Sequence, residues 1–233
     1  MNRGRLRIYL GYAPGTGTTC ALLSEGHLRA REGADVVAAI ADTRGRPHTD
    51  ALLAGLEIIP PANVSYQGTG CPEMDLGAVL ARKPAVALVD DLAHCNVPGA
   101  GHARRWQDAM ELLAAGIDVI STVTIGQLES LSDVAEKITG VPSRETVPDP
   151  VVRAAGEVEL VDVVPQALRD RMAHGHIYPA ERAEAALDGA FRMGTCPHCG
   201  SLPCCGWPAS WPATRSDTAP APRLGGTVMP GSG

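Results

Sequence analysis

The stretch that decides the fold is Arg5-Leu-Arg-Ile-Tyr-Leu10 running straight into Gly11-Tyr-Ala-Pro-Gly-Thr-Gly-Thr-Thr19. A short apolar segment rich in branched residues reads as a buried strand, and the glycines after it mark a tight turn. Helical spacing of Leu22, Leu23 and Leu28 follows within Thr19–Glu32. A strand, a glycine-rich turn and a helix in that order can aim backbone N–H groups and a helix N-terminus at an anionic phosphate. The turn is close to the Walker A pattern G-x-x-x-x-G-K-[ST]. Gly15 and Gly17 let the backbone approach a phosphate, and Thr19 stands where a hydroxyl reaches magnesium. Tyr12 occupies the first glycine position and Thr18 the lysine position. Losing that charge-assisted hydrogen bond costs on the order of 1.5–3 kcal/mol. If the charge also serves a transition state, the rate falls by roughly 10²–10³. The loop therefore reads as able to hold a nucleotide through its backbone, and as a poor engine for phosphoryl transfer.

Further along, Asp35–Ala41, Ala85–Val89, Asp118–Ile125 and Glu159–Val163 are short, continuous Val/Ile-rich runs, and a helix begins near Arg104. Helical spacing also marks Gln166–Ala173 and Ala180–Phe191. Continuous apolar runs between amphipathic helices predict buried parallel strands, with helices on both faces. The run Ala85–Val89 ends in Asp90-Asp91, the form of a Walker B strand. There Asp90 is expected to hold magnesium through water, and Asp91 to orient a water. Together the two motifs predict an α/β fold of the P-loop NTPase type over residues 1–193.

Composition sets the outer bounds. The chain has 233 residues with 20 basic and 26 acidic side chains, a net charge of −6, which argues against a nucleic-acid binder. No apolar run approaches the ~18 residues of a membrane helix, so the chain reads as cytoplasmic. Residues 194–233 hold 7 Gly, 7 Pro and four of the seven cysteines, and they read as a mostly disordered tail. In it, Cys196, Cys199, Cys204 and Cys205 form a candidate zinc site, with His198 as a possible nitrogen ligand. Disordered thiols are the alternative.

Several segments resemble the cytoplasmic N-terminal domain of KdpD-type potassium sensor kinases. They are GRLRIYLGYAPGTGTT (Gly4–Thr19), TRGRP (Thr43–Pro47), ALVDDLAHCNVPGAGHARRWQD (Ala87–Asp108), GIDVISTVTIGQLESLSD (Gly116–Asp133), ITGV (Ile138–Val141), ETVPD (Glu145–Asp149) and EVELVDV (Glu157–Val163). The likeness implies a regulatory domain of potassium or osmotic two-component signalling with a P-loop fold. It departs from the family pattern where Thr16 replaces Val, Thr18 replaces Lys, Asp91 replaces Glu, Cys95 replaces Thr, and Ile125-Gly126-Gln127 replaces Val-Gln-His. The expected cofactor is ATP with magnesium, weakly bound or lost, at Gly15, Gly17, Thr18, Thr19, Asp90 and Asp91. With no phosphoacceptor helix or kinase lid in the chain, the expectation is a sensor that is not an enzyme by itself. It would act on a histidine kinase or another two-component protein, which could recruit it to the inner membrane face. The competing expectation is a small P-loop ATPase or nucleoside-kinase-like enzyme with a zinc-bearing tail.

The remaining polar residues take plainer readings. His94 and His102 read as histidines satisfied by loop backbone, Arg104 and Arg105 as a solvated helix start, and Trp106 as packing. Arg44 and Arg46 read as solvated turn arginines, or as substitutes for the missing lysine.

Overall fold

The computed structural model describes residues 3–139, 143–163, 168, 170, 171 and 213–214. Five strands lie where continuous apolar runs were expected: β1 (Leu6–Gly11), β2 (Val36–Ile40), β6 (Val86–Val89), β7 (Asp118–Thr124) and β8 (Glu157–Val161). Only the last shifts appreciably, starting two residues earlier than its Val-rich core suggests. Glu157 and Glu159 belong to the strand because both pair with Arg7 of β1, at 2.7 and 2.6 Å.

The strands form one parallel sheet in the order β3-β2-β6-β7-β1-β8-β9, where β3 is Glu57–Ile58 and β9 is the two-residue strand Ala213–Thr214. Alternate residues feed two separate apolar layers. Ile8, Leu10, Val37, Ala87, Val89 and Val119 face α3 (Leu76–Arg82), α4 (Arg105–Ala114) and α6 (Asp149–Arg153), which contribute Val79, Leu112, Leu113, Val151 and Val152. Tyr9, Val36, Val86, Leu88 and Ile120 face α1 (Thr18–Arg31) through Leu22 and Leu23. Burial on both faces is why these strands read as unbroken apolar runs.

Elements that the sequence reading did not place include β3, α3 and α6, together with α2 (Pro47–Leu53), the antiparallel hairpin of β4 (Ala62–Tyr66) and β5 (Thr69–Glu73), and α5 (Ser132–Thr139). The hairpin is mostly exposed and pairs with itself rather than with the main sheet, so it carries no core signature. Its last residue, Glu73, nevertheless turns inward and is buried.

The helix expected over Gln166–Ala173 is described only at Leu168, Asp170 and Arg171, which are helical. The helix expected over Ala180–Phe191 and the cysteines of the candidate zinc site, Cys196, Cys199, Cys204 and Cys205, lie outside the described residues. Among those described, no helix is long and apolar enough to cross a membrane.

Candidate functional site at the carboxyl edge of the sheet

In an open parallel sheet, ligands bind beyond the carboxyl ends of the strands. The glycine-rich loop leaves β1 at that edge, and Asp90 follows β6 on the same edge, with β7 between the two strands. Gly15 and Gly17 adopt φ of 91° and 105°, a left-handed conformation that favours glycine. Gly17 is the N-cap of α1. A Cβ on Gly11 would run into Thr16 Oγ1 and lie 3.0 Å from Thr18 Cγ2, so both replaced positions turn back onto the end of β1. Thr16 is buried, and its hydroxyl has no hydrogen-bond partner among the described residues. Arg171 donates from Nη1 to the Gly15 carbonyl at 3.0 Å, which places a guanidinium at the outer side of the loop.

Asp90 is the buried anion of the site. It accepts hydrogen bonds from Thr19 Oγ1 at 3.1 Å, from Thr122 Oγ1 at 2.6 Å and from the Asp42 amide at 3.2 Å. Burial raises its carboxyl pKa and nearby Asp91 adds to the rise, while the hydroxyl bonds oppose it. Thr122 had no part in the sequence expectation. It sits on β7, where Ser121 and Thr122 are both buried in an otherwise apolar run. That pair of buried hydroxyls was the available signal.

Asp91 has a φ of 53°. Its amide donates to Thr122 Oγ1 at 2.9 Å, and its Oδ1 accepts from Gln127 Nε2 at 2.9 Å. Asp91 and Gln127, both read from the sequence as departures from the pattern it resembles, thus touch each other.

These groups surround one cavity of about 470 Å³. Gly15, Thr18, Thr19, Asp90 and Asp91 line it, as do Arg44, Arg46, His94, Arg105 and Gln127. Gly17 is absent from the lining. Arg44 pairs with exposed Asp42 at 3.1 Å, whereas Arg46 is half-buried. Burial and the Arg44 charge lower the Arg46 pKa, and Asp42, Cys20 and Asp90 oppose that shift. Arg46 is therefore a partly desolvated cation facing the same space as Asp90.

Beyond Asp91 the chain is knitted by charged hydrogen bonds, contrary to the plainer readings. Arg105 is buried rather than solvated, and donates to the Asp90 carbonyl at 3.1 Å and to Glu73 Oε2 at 3.3 Å. His94 Nε2 lies 3.1 Å from Glu73 Oε1, and His102 Nδ1 lies 2.7 Å from Asp108 Oδ1, so both histidines meet carboxylates rather than backbone. Asp108 also accepts from Asn96 Nδ2 at 2.6 Å. Arg104 donates to Cys95 Sγ at 2.6 Å, and the Cys95 amide to Glu145 Oε1 at 2.8 Å. Trp106 packs against the core, as expected. Neither Glu73 nor Glu145 carried a local signal as a member of this network; only the folded chain brings them to the loop.

Comparison with known proteins assigns the chain. Residues 2–198 match the family described as KdpD, the osmosensitive K+ channel His kinase sensor domain. A Sensor protein KdpD of Mycobacterium tuberculosis (strain H37Rv) is 57% identical over 192 residues, covering 82% of this chain and 22% of the relative. The Escherichia coli (strain K12) Sensor protein KdpD is 47% identical over 193 residues, covering 83% and 22%. That of Clostridium acetobutylicum is 42% identical over 190 residues, covering 82% and 21%. The chain thus spans about a fifth of the length of these relatives. It belongs to the KdpD osmosensitive potassium-channel histidine-kinase sensor domain family.

Proposed function

We infer that this domain is the regulatory, nucleotide-responsive part of a potassium or osmotic two-component system. It holds a magnesium nucleotide at the carboxyl edge of the sheet without turning it over efficiently. Its output passes to a histidine kinase or another two-component protein, which would bring it to the inner face of the membrane. The observation that carries this reading is the 3.1 Å bond from Thr19 to the buried Asp90 carboxylate, on the wall of a cavity that also contains the glycine-rich loop. A hydroxyl at the start of α1 and a buried carboxylate at the end of β6 are the pair that P-loop proteins use to hold magnesium.

The donor set fits the phosphate and metal parts of such a ligand. Gly15, Gly17 and the first amides of α1 suit the phosphates, and Thr19 and Asp90 suit magnesium. The fit fails at Thr18, which brings no charge. Arg46 and Arg44 on the cavity wall, and Arg171 at the loop carbonyl, are the cations that offset this.

The test is calorimetric titration with ATP and magnesium, run beside a phosphate-release assay. Binding that is lost in Asp90→Ala, with negligible release, is expected. Magnesium-dependent turnover abolished by Asp90→Ala would favour the competing reading, a small P-loop ATPase or nucleoside-kinase-like enzyme. Absence of any nucleotide binding would overturn both.

A further inference from the structure

The geometry points to a second cation site in this domain, separate from the Thr19–Asp90 pair: Asp91, His94 and Glu145 bind a divalent first-row transition metal. One donor atom from each of the three lies within 4.8 Å of the others. They come from two parts of the chain: the loop after β6, and the segment before α6, which supplies Glu145. A metal here would tie that segment to the cavity wall, since Asp91 and His94 both line the cavity.

The imidazole decides the chemistry. Its Nε2 faces Glu73, a buried carboxylate that also accepts from the Val97 amide at 2.9 Å and from Arg105 at 3.3 Å. Held by those donors, the Glu73 carboxylate is placed to accept a hydrogen bond from Nε2–H. Nδ1 lies on the other side of the ring, 3.8 Å from Glu145 Oε1, and is the ring nitrogen that faces the other two ligands. Carboxylate, histidine and metal in sequence is the usual way a protein orients an imidazole ligand and raises its basicity.

The other two ligands are held in the same manner. Gln127 Nε2 holds Asp91 Oδ1 at 2.9 Å, and the Cys95 amide holds Glu145 Oε1 at 2.8 Å. Each carboxylate retains lone pairs for a metal beside the hydrogen bond it accepts. The nearby cations are engaged elsewhere: Arg105 on Glu73 and the Asp90 carbonyl, Arg104 on Cys95. Magnesium prefers an all-oxygen octahedron, so one imidazole with two carboxylates favours zinc, cobalt, manganese or iron. Three protein ligands leave at least one position open. His94 and Glu145 are 30% and 38% exposed, which leaves a route for entry.

The experiment is titration of the full chain with Co²⁺ in the absence of nucleotide. Weak visible d–d bands saturating at one equivalent are expected from this site. A site on the tail cysteines would instead give intense near-ultraviolet thiolate charge transfer. Affinity should fall at least about tenfold in Glu145→Gln and in His94→Ala, the scale on which even outer-sphere partners act. It should be unchanged when Cys196 and Cys199 are both replaced by serine. As a check that needs no variant, the ¹⁵N spectrum of wild-type His94 should show protonation at Nε2 alone once diamagnetic zinc is bound. No d–d bands, bands indifferent to both substitutions, or a His94 ring that ignores added metal would each overturn the site.

Discussion

The glycine-rich loop and the segment from Asp90 to Asp108 face one another across a single cavity, and they are built on opposite principles. The first is held by backbone conformation. It has left-handed glycines, two threonines folded back onto Gly11, a Thr16 hydroxyl with no partner among the described residues, and no charged side chain of its own. The second is held by charge: Asp90, Asp91, His94, Cys95, Asn96, Arg104, Arg105 and Asp108 all make polar side-chain bonds or receive them. A loop of the first kind keeps its shape with Thr18 in place of a lysine, because that shape rests on backbone conformation. A network of the second kind does not tolerate loss of a member. The difference teaches where nucleotide chemistry can fade while the fold stays intact.

The largest effect should come from breaking the charged side. Arg105→Ala would strip the buried Glu73 of its arginine, leaving it only the His94 ring and the Val97 amide, and removing one partner of a buried pair costs up to about 3–5 kcal/mol. Denaturant unfolding measures it, and a loss below about 1 kcal/mol would show that the network is not what holds the segment. On the loop side, Gly11→Ala forces a methyl against Thr16 Oγ1. Overpacking of this kind costs typically 1–3 kcal/mol, and pairing it with Thr16→Ala or Thr16→Gly, which remove that oxygen, should recover part of it. Smaller again, Asp75→Ala removes the N-cap of α3, whose carboxylate accepts the Ala78 amide at 2.8 Å. A loss of about 1 kcal/mol in urea unfolding is expected. Because α3 lies away from the cavity, ligand binding should stay unchanged.

Acidification probes the seam between the two regions. Burial sets the folded pKa of Asp90 above its unfolded value. Its ionisation therefore disfavours the fold, a cost absent below the unfolded value of about 3.9 and complete above the folded one. Magnesium must displace a proton from Asp90 on acidification, so magnesium–nucleotide affinity should start to fall at a higher pH than an ordinary carboxylate dictates. Titrations from pH 7.5 downward measure this, and an affinity flat down to pH 4 would remove Asp90 from the metal site.

The same contrast explains what the sequence disclosed. Strands β1, β2, β6 and β7 were legible because burial on both faces writes unbroken apolar runs. The glycine turn and the paired aspartates were legible because their chemistry is local. The hairpin was not, since its pairing is with itself and its faces are wet. Arg105 looked like a solvated helix start because its partner, Glu73, lies 32 residues away along the chain. Likewise Thr122 joins the site only through the strand order that inserts β7 between β1 and β6. Local chemistry showed in the residues, whereas partnerships made by topology did not.

The central claim is that the loop still holds a nucleotide although Thr18 has replaced the lysine. The most direct measurement is the affinity of wild type and Thr18→Lys for ATP and magnesium, side by side. A restored charge-assisted bond of about 1.5–3 kcal/mol predicts measurable binding by wild type and binding roughly 10- to 150-fold tighter by the variant. Equal or weaker binding by Thr18→Lys, or no binding by wild type, would contradict the account.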